Sequence, residues 1–102
     1  MRNDKENVIV DKSFQFAIKV VKYCEVLETK KKLVISRQLL RSGTSIGANI
    51  REAQNAESKQ DFIHKIKLAA KEADETEYWL SVCKNTPTYP FYDDLLFDVK
   101  EL

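Results

Sequence analysis

Phe62, Ile66, Ala69, Ala73, Thr76, Leu80 and Cys83 form a row of apolar and small residues whose spacing alternates between four and three. That spacing is the seam of a helix packed along another helix. A strand cannot use it, because a period of two would scatter these side chains over both faces of a sheet. Two glycines and two prolines in 102 residues are too few to turn an all-β chain. The sequence therefore predicts one all-α domain.

Three further helices can be read around this one. The first runs from about Asp11 or Ser13, either of which can cap it, to Glu28. Phe14, Ala17, Ile18, Val21, Cys24 and Leu27 make its apolar face. Met1–Asn7 is polar and of mixed charge, and residues 1–10 are expected to be a flexible segment, with the bundle domain spanning 11–102. Thr29–Lys32 is a basic connection.

The second helix runs from about Leu33 to Gln54 and carries two stripes. One is Ile35, Leu39, Ile46 and Ala53; the other is Leu40, Gly43, Gly47 and Ile50. A glycine inside a helix costs about 1 kcal/mol relative to alanine. Gly43 and Gly47, among Ser42, Thr44, Ser45 and Ala48, therefore imply another backbone close by. A loop over Arg41–Gly47 is the competing reading.

Ser58 followed by Asp61 resembles a capping box and opens the third helix, Ser58–Lys84. Pro87 and Pro90 close it. A short fourth helix, from about Pro90 or Phe91 to Leu102, has Tyr92, Leu95, Leu96, Val99 and Leu102 on one side. Either the bundle is uneven or the natural chain extends further. Short connections predict an antiparallel up-down-up-down four-helix bundle, with Cys24 and Cys83 at the same end.

One bundle does not use up the apolar surface. Trp79 and Tyr78 precede the seam residue Leu80 by one and two positions and point about 100° and 200° away from it. Trp79 aligns with Leu68 and Val82, and Tyr78 with Ile63 and Ala70. With the two stripes of the second helix, this predicts a homo-oligomer in which helices two and three also face another subunit. A wide core stripe in a monomer is the alternative.

No catalytic, metal or cofactor set is legible. A carboxylate-bridged metal site in a bundle needs two Glu-x-x-His pairs, and the single histidine offers only Asp61-x-x-His64. Cys24 and Cys83 lack Cys-x-x-Cys spacing and read as buried thiols. There is no phosphate-binding glycine loop. Glu52, Glu72, Glu75 and Glu77 could be viewed as acid pairs, but no cleft is indicated. The structural reading bonds Asn49, Glu52 and Glu75 across helices to Arg37, Arg41, Arg51 or Tyr78.

Net charge is +1 but uneven: residues 1–51 hold 11 Lys or Arg against 5 Asp or Glu, and residues 52–102 hold 6 against 11. Lys30, Lys31, Lys32, Arg37 and Arg41 form the basic cluster that would meet RNA or DNA phosphates. Lys59, Lys65, Lys67 and Lys71 form a second set, and a solvated face is the plain reading of both. No aromatic–basic interleaving marks a base-stacking surface. The first residues lack the apolar core of a signal peptide, and no apolar run approaches a membrane span. A cytoplasmic protein with reduced cysteines is expected.

The stretch QLLRSGTSIGANIREA at Gln38–Ala53, with SKQDFIH at 58–64 and KEADETEYWL at 71–80, resembles the 23S rRNA-intervening sequence protein family of bacteria, also called "four helix bundle protein". The resemblance implies a four-helix bundle assembling into a ring, a homopentamer. The family's polar signature falls on Ser45, Asn49, Glu52, Glu75 and Glu77. More distantly the fold is similar to the strongly basic accessory subunit of diversity-generating retroelements, which contacts nucleic acid and reverse transcriptase. The expectation is a non-enzymatic, ring-forming protein associated with RNA or DNA. The alternative is a protein-binding adaptor using the surface of Tyr78 and Trp79.

Overall fold

In the computed structural model, which describes residues 4–102 and side chains from Val8 onward, helix α1 (Asp4–Thr29) begins well before Asp11 or Ser13. Ile9 and Val10 explain the early start, because both pack against the core and carry the apolar period past the expected cap. Ser13 lies inside the helix, buried, and its hydroxyl donates to the Val10 carbonyl at 3.1 Å. The segment expected to lie outside the bundle is thus helical from Asp4. Met1–Asn3 fall outside the described residues.

The buried face of α1 also differs from expectation. Phe16, Val20, Tyr23, Cys24 and Leu27 enter the core, whereas Phe14 and Val21 are 47% and 40% exposed. Two apolar rows compete on this helix. The winning row is the one lying between the next helix and the last.

The turn after α1 is a Schellman motif. The Lys32 and Lys31 amides donate to the carbonyls of Leu27 and Glu28 at 2.8 and 2.9 Å. Lys31 takes the left-handed conformation, φ 61°, where glycine is usual. Helix α2 (Leu33–Ala53) then runs without interruption through Arg41–Gly47, which excludes the loop reading. A Cβ on Gly43 would lie 2.8 Å from a Val20 methyl, and one on Gly47 would lie 3.2 Å from the Ser13 carbonyl oxygen. The glycines let α1 and α2 approach closely, and that packing offsets their helix-propensity cost.

Helix α3 (Lys59–Lys84) starts as its sequence predicts. The Ser58 hydroxyl accepts from the Asp61 amide at 3.0 Å, and the Asp61 carboxylate accepts from the Glu57 amide at 3.3 Å. Ala69, Thr76, Leu80 and Cys83 of the seam are buried, but Phe62 and Ile66 remain 37% and 38% exposed. The cause is α4 (Asp93–Lys100), which is too short to reach them. It begins later than Pro90 or Phe91 because the preceding aromatics are used otherwise. Phe91 and Tyr92 meet the Tyr23 ring edge-on, and the Tyr23 hydroxyl donates to the Pro90 carbonyl at 2.6 Å.

Each helix packs on its chain neighbour and α4 returns onto α1, closing an up-down-up-down bundle 45 Å long. Its few buried polar groups are matched. The Thr76 and Ser42 hydroxyls bond at 2.9 Å between α3 and α2. Ser36 and Cys24 exchange bonds with each other's carbonyls, at 3.3 and 3.4 Å, between α2 and α1. Among the described residues no buried side-chain nitrogen or oxygen lacks a partner.

Candidate interaction surfaces

On one flank of α2 Arg41 is followed by the polar signature residues Ser45, Asn49 and Glu52, at steps of four, four and three. Ser45 donates to the Arg41 carbonyl at 2.6 Å and Asn49 to the Ser45 carbonyl at 2.9 Å, so both are satisfied within α2 rather than across helices. Arg41 and Glu52 do cross to α3. Arg41 is held by Glu72 at 3.2 Å and by a closer contact with Glu75, and Glu52 pairs with Lys65 at 2.8 Å. Glu75 also accepts the Trp79 indole N–H at 3.0 Å. The hydrogen bond from Arg41, then that from Trp79, lowers the Glu75 pKa; the bond to Glu75 raises that of Arg41.

This network changes the basic cluster. Arg41 shares its charge with two carboxylates and is no free phosphate ligand. Lys32 stands 5.1 Å over the Tyr89 ring. Lys30, Lys31 and Arg37 are exposed, near the turn that joins α1 to α2. Lys84, at the same end, pairs with Asp93 at 3.6 Å. The structure thus leaves a smaller cationic end than the sequence suggests.

The two thiols are buried in the core. Burial raises the pKa of Cys24 to about 11 and also raises that of Cys83, so both stay protonated, weak nucleophiles at neutral pH. Among the described residues no three His, Cys, Asp or Glu side chains converge as a metal site. Nor is any helix long and apolar enough to cross a membrane.

Among the described residues, three outward apolar surfaces bear on these expectations. The first is the α1–α2 edge, where Phe14, Val21 and Leu40 flank the smaller Ala17, Thr44 and Ala48. Arg51 lies 5.5 Å from the Phe14 ring. A shallow groove of about 240 Å³ runs between Val10, Phe14, Ala17, Thr44 and Arg51. The sequence reading placed Phe14 and Val21 in the core. A signal was available in the apolar row Phe16, Val20, Tyr23 and Leu27, which has the same helical period.

The second surface is the pair Tyr78 and Trp79. Their rings meet edge-on at 5.2 Å. Tyr78 is 61% exposed, whereas Trp79 packs partly against its own core. Trp79 therefore offers less free surface than expected.

The third lies beyond the end of α4. A groove of about 390 Å³ is lined by Ile9, Ile46, Ile50, Ile66, Ala69 and Val99, with Asp74, Glu77 and Lys100 at its rim. Glu77, a signature position, belongs here and not to the α2–α3 network.

A family model described as "23S rRNA-intervening sequence protein" matches residues 5–100 of the chain. A solved structure from Bacteroides thetaiotaomicron, a protein of unknown function from the S23 ribosomal protein family, is 48% identical. It superposes with a TM-score of 0.89 over 95% of this chain and 89% of that one. No curated protein matches.

Proposed function

The chain belongs to the 23S rRNA-intervening sequence protein family, and from that premise we propose that it is a non-enzymatic scaffold whose copies close into a ring. The observation that carries this reading is the apolar α1–α2 edge. Phe14, Val21 and Leu40 stay more than a third exposed on a small bundle that has already buried one complete row of α1. Side chains of that size grouped with small neighbours form a typical contact surface. A head-to-tail contact that closes on itself makes a ring, and the family resemblance supports five subunits.

In a ring with parallel subunits, Lys30, Lys31 and Arg37 of every copy share one mouth. One subunit, with net charge +1, attracts nucleic acid weakly, whereas several such ends together concentrate the field. The distant likeness to the retroelement accessory subunit supports this use. Native mass and RNA binding at graded salt test the reading together. The expected result is an oligomer whose RNA affinity falls steeply as salt rises. A monodisperse monomer at tens of micromolar, by light scattering, refutes the scaffold.

The capture of Arg41 by Glu72 and Glu75 favours a second reading, a protein-binding adaptor without nucleic-acid contact. An oligomer that binds neither RNA nor DNA at low salt selects it.

A further inference from the structure

A ring built on the α1–α2 edge leaves open which surface of the next copy receives that edge. Closure restricts the answer. A cyclic ring needs two different faces on each subunit, and the angle between them sets the number of copies. Faces about 180° apart never close, faces about 90° apart close four copies, and faces about 108° apart close five. Opposite sides of a four-helix bundle are of the first kind, and neighbouring sides are close to the other two. The side opposite α1–α2 is α3–α4, which closure excludes. The receiving face is therefore α2–α3 or α1–α4.

Desolvation separates these two. The α1–α4 side carries Lys12, Lys19 and Lys22 at helical spacing on α1. Lys19 pairs with Asp98, but among the described residues neither Lys12 nor Lys22 is ion-paired. Covering them with Phe14 and Val21 of another copy would strip water from unpaired charges. The α2–α3 side has its polar groups matched already. Arg41 holds Glu72 and Glu75, Lys65 holds Glu52, and the Trp79 indole donates to Glu75. Ser45 and Asn49 are bonded within α2. Such a face loses little when water leaves it.

Register agrees. A cyclic ring has no rise from copy to copy, so side chains that meet across the contact lie at one height along the bundle. Gly43 faces Val20, and the Ser42 hydroxyl bonds Thr76, so Val21 and Leu40 stand within about one turn of the height of Trp79. Gly47 faces Ser13, and Lys65 pairs with Glu52, so Phe14 stands within about one turn of the height of Leu68. Leu68 and Trp79 are both half-buried, on the flank of α3 beside α2. Arg51, next to the Phe14 ring, comes level with Glu52 of the next copy. The Glu52 side chain is 57% exposed and accepts from Lys65 through one oxygen.

We infer that the α2–α3 side of one copy receives the α1–α2 edge of the next. Phe14 then packs on Leu68, and Val21 and Leu40 pack on Trp79. Helix α2, common to both faces, lines the opening of the ring, and α4 stands on its outer wall. Arg37, Thr44 and Ala48 point away from the core on α2 and so face the axis. This rests on the ring reading and adds the second half of its contact.

The test uses variants of the full chain, with native mass read by light scattering at high concentration. Phe14→Glu spoils the edge, and Leu68→Glu or Ser45→Arg spoils the receiving side. Each alone is expected to give a subunit of 11.8 kDa. An equimolar mixture of Phe14→Glu with either of the others keeps one good edge and one good receiving side. It is expected to give a pair of twofold mass and nothing larger. Phe97→Glu, on α4, is expected to leave the ring intact. Trp79, the single tryptophan, is expected to be quenched less readily by acrylamide in the oligomer than in Phe14→Glu. An oligomer that survives both Leu68→Glu and Ser45→Arg overturns the inference and leaves the ring standing. So does equal quenching of Trp79, dissociation by Phe97→Glu, or a mixture that stays monomeric while circular dichroism shows each variant folded. A monomeric unmodified chain removes the ring and its receiving face together.

Discussion

The α1–α2 and α3–α4 seams solve the same packing problem with opposite outcomes. At α1–α2 both helices run nearly the full bundle, and two glycines draw the backbones together until a single added carbon would touch Val20 or the Ser13 carbonyl. At α3–α4 the partner stops early, and alanines that could have supported equally close packing line an open trough. Small residues permit close packing, but only a partner of sufficient length completes it. The first seam is closed by close packing, whereas along the second Phe62 and Ile66 of α3 keep more than a third of their surface exposed.

Small-to-large substitution should separate the two seams most strongly. Gly43→Leu drives its side chain into Val20, which is completely buried. A loss of about 3 kcal/mol or more is expected in urea unfolding, beyond the helix-propensity gain of about 1 kcal/mol. Ala70→Leu in the trough should change stability by under about 0.5 kcal/mol. If both changes cost the same, the contrast between the seams is wrong. Next in size is Thr76→Val, which strands the Ser42 hydroxyl in the core and should cost about 1–2 kcal/mol. Adding Ser42→Ala should recover much of that loss.

A smaller, favourable effect is expected at the α1–α2 turn. Lys31→Gly relieves a left-handed residue and should raise stability by about 0.5–1 kcal/mol, seen as a higher melting temperature.

The smallest effect concerns the exposed α2–α3 network. The folded state holds Glu75 below the usual carboxylate value of 4.5. Its contribution is therefore complete above that pH and disappears as pH falls through the lowered value. Trp79 fluorescence should follow this titration, because the indole donates to Glu75. Arg41→Ala should move the midpoint upward, toward 4.5. An unmoved midpoint would show that Arg41 does not hold Glu75 in solution.

Local chemistry made parts of this structure legible in advance. The Ser58–Asp61 cap needs only residues three apart, and it forms as read. Gly43 and Gly47 announced a close backbone because nothing else justifies glycine inside an apolar helical row. The reading went wrong where two answers had equal local merit. Phe14, Ile18 and Val21 have the same helical period as Phe16, Val20 and Leu27. Ser13 has the chemistry of a cap but lies two turns inside its helix. Arg41 belonged to the basic cluster until Glu72 and Glu75, 31 and 34 residues away, came beside it.

Periodicity, caps and breakers by themselves determined that this chain is four helices, where all their ends but the start of α1 fall to within a few residues, and that α2 must lie close to another backbone. These follow from interactions over one or two turns, which the order of residues specifies directly. Tertiary structure alone decided which row of α1 is core, which cations are paired, and that Phe62 and Ile66 of the α3 seam stay partly exposed. Those outcomes depend on which side chains distant segments place opposite one another, and on how far along its neighbours each helix extends.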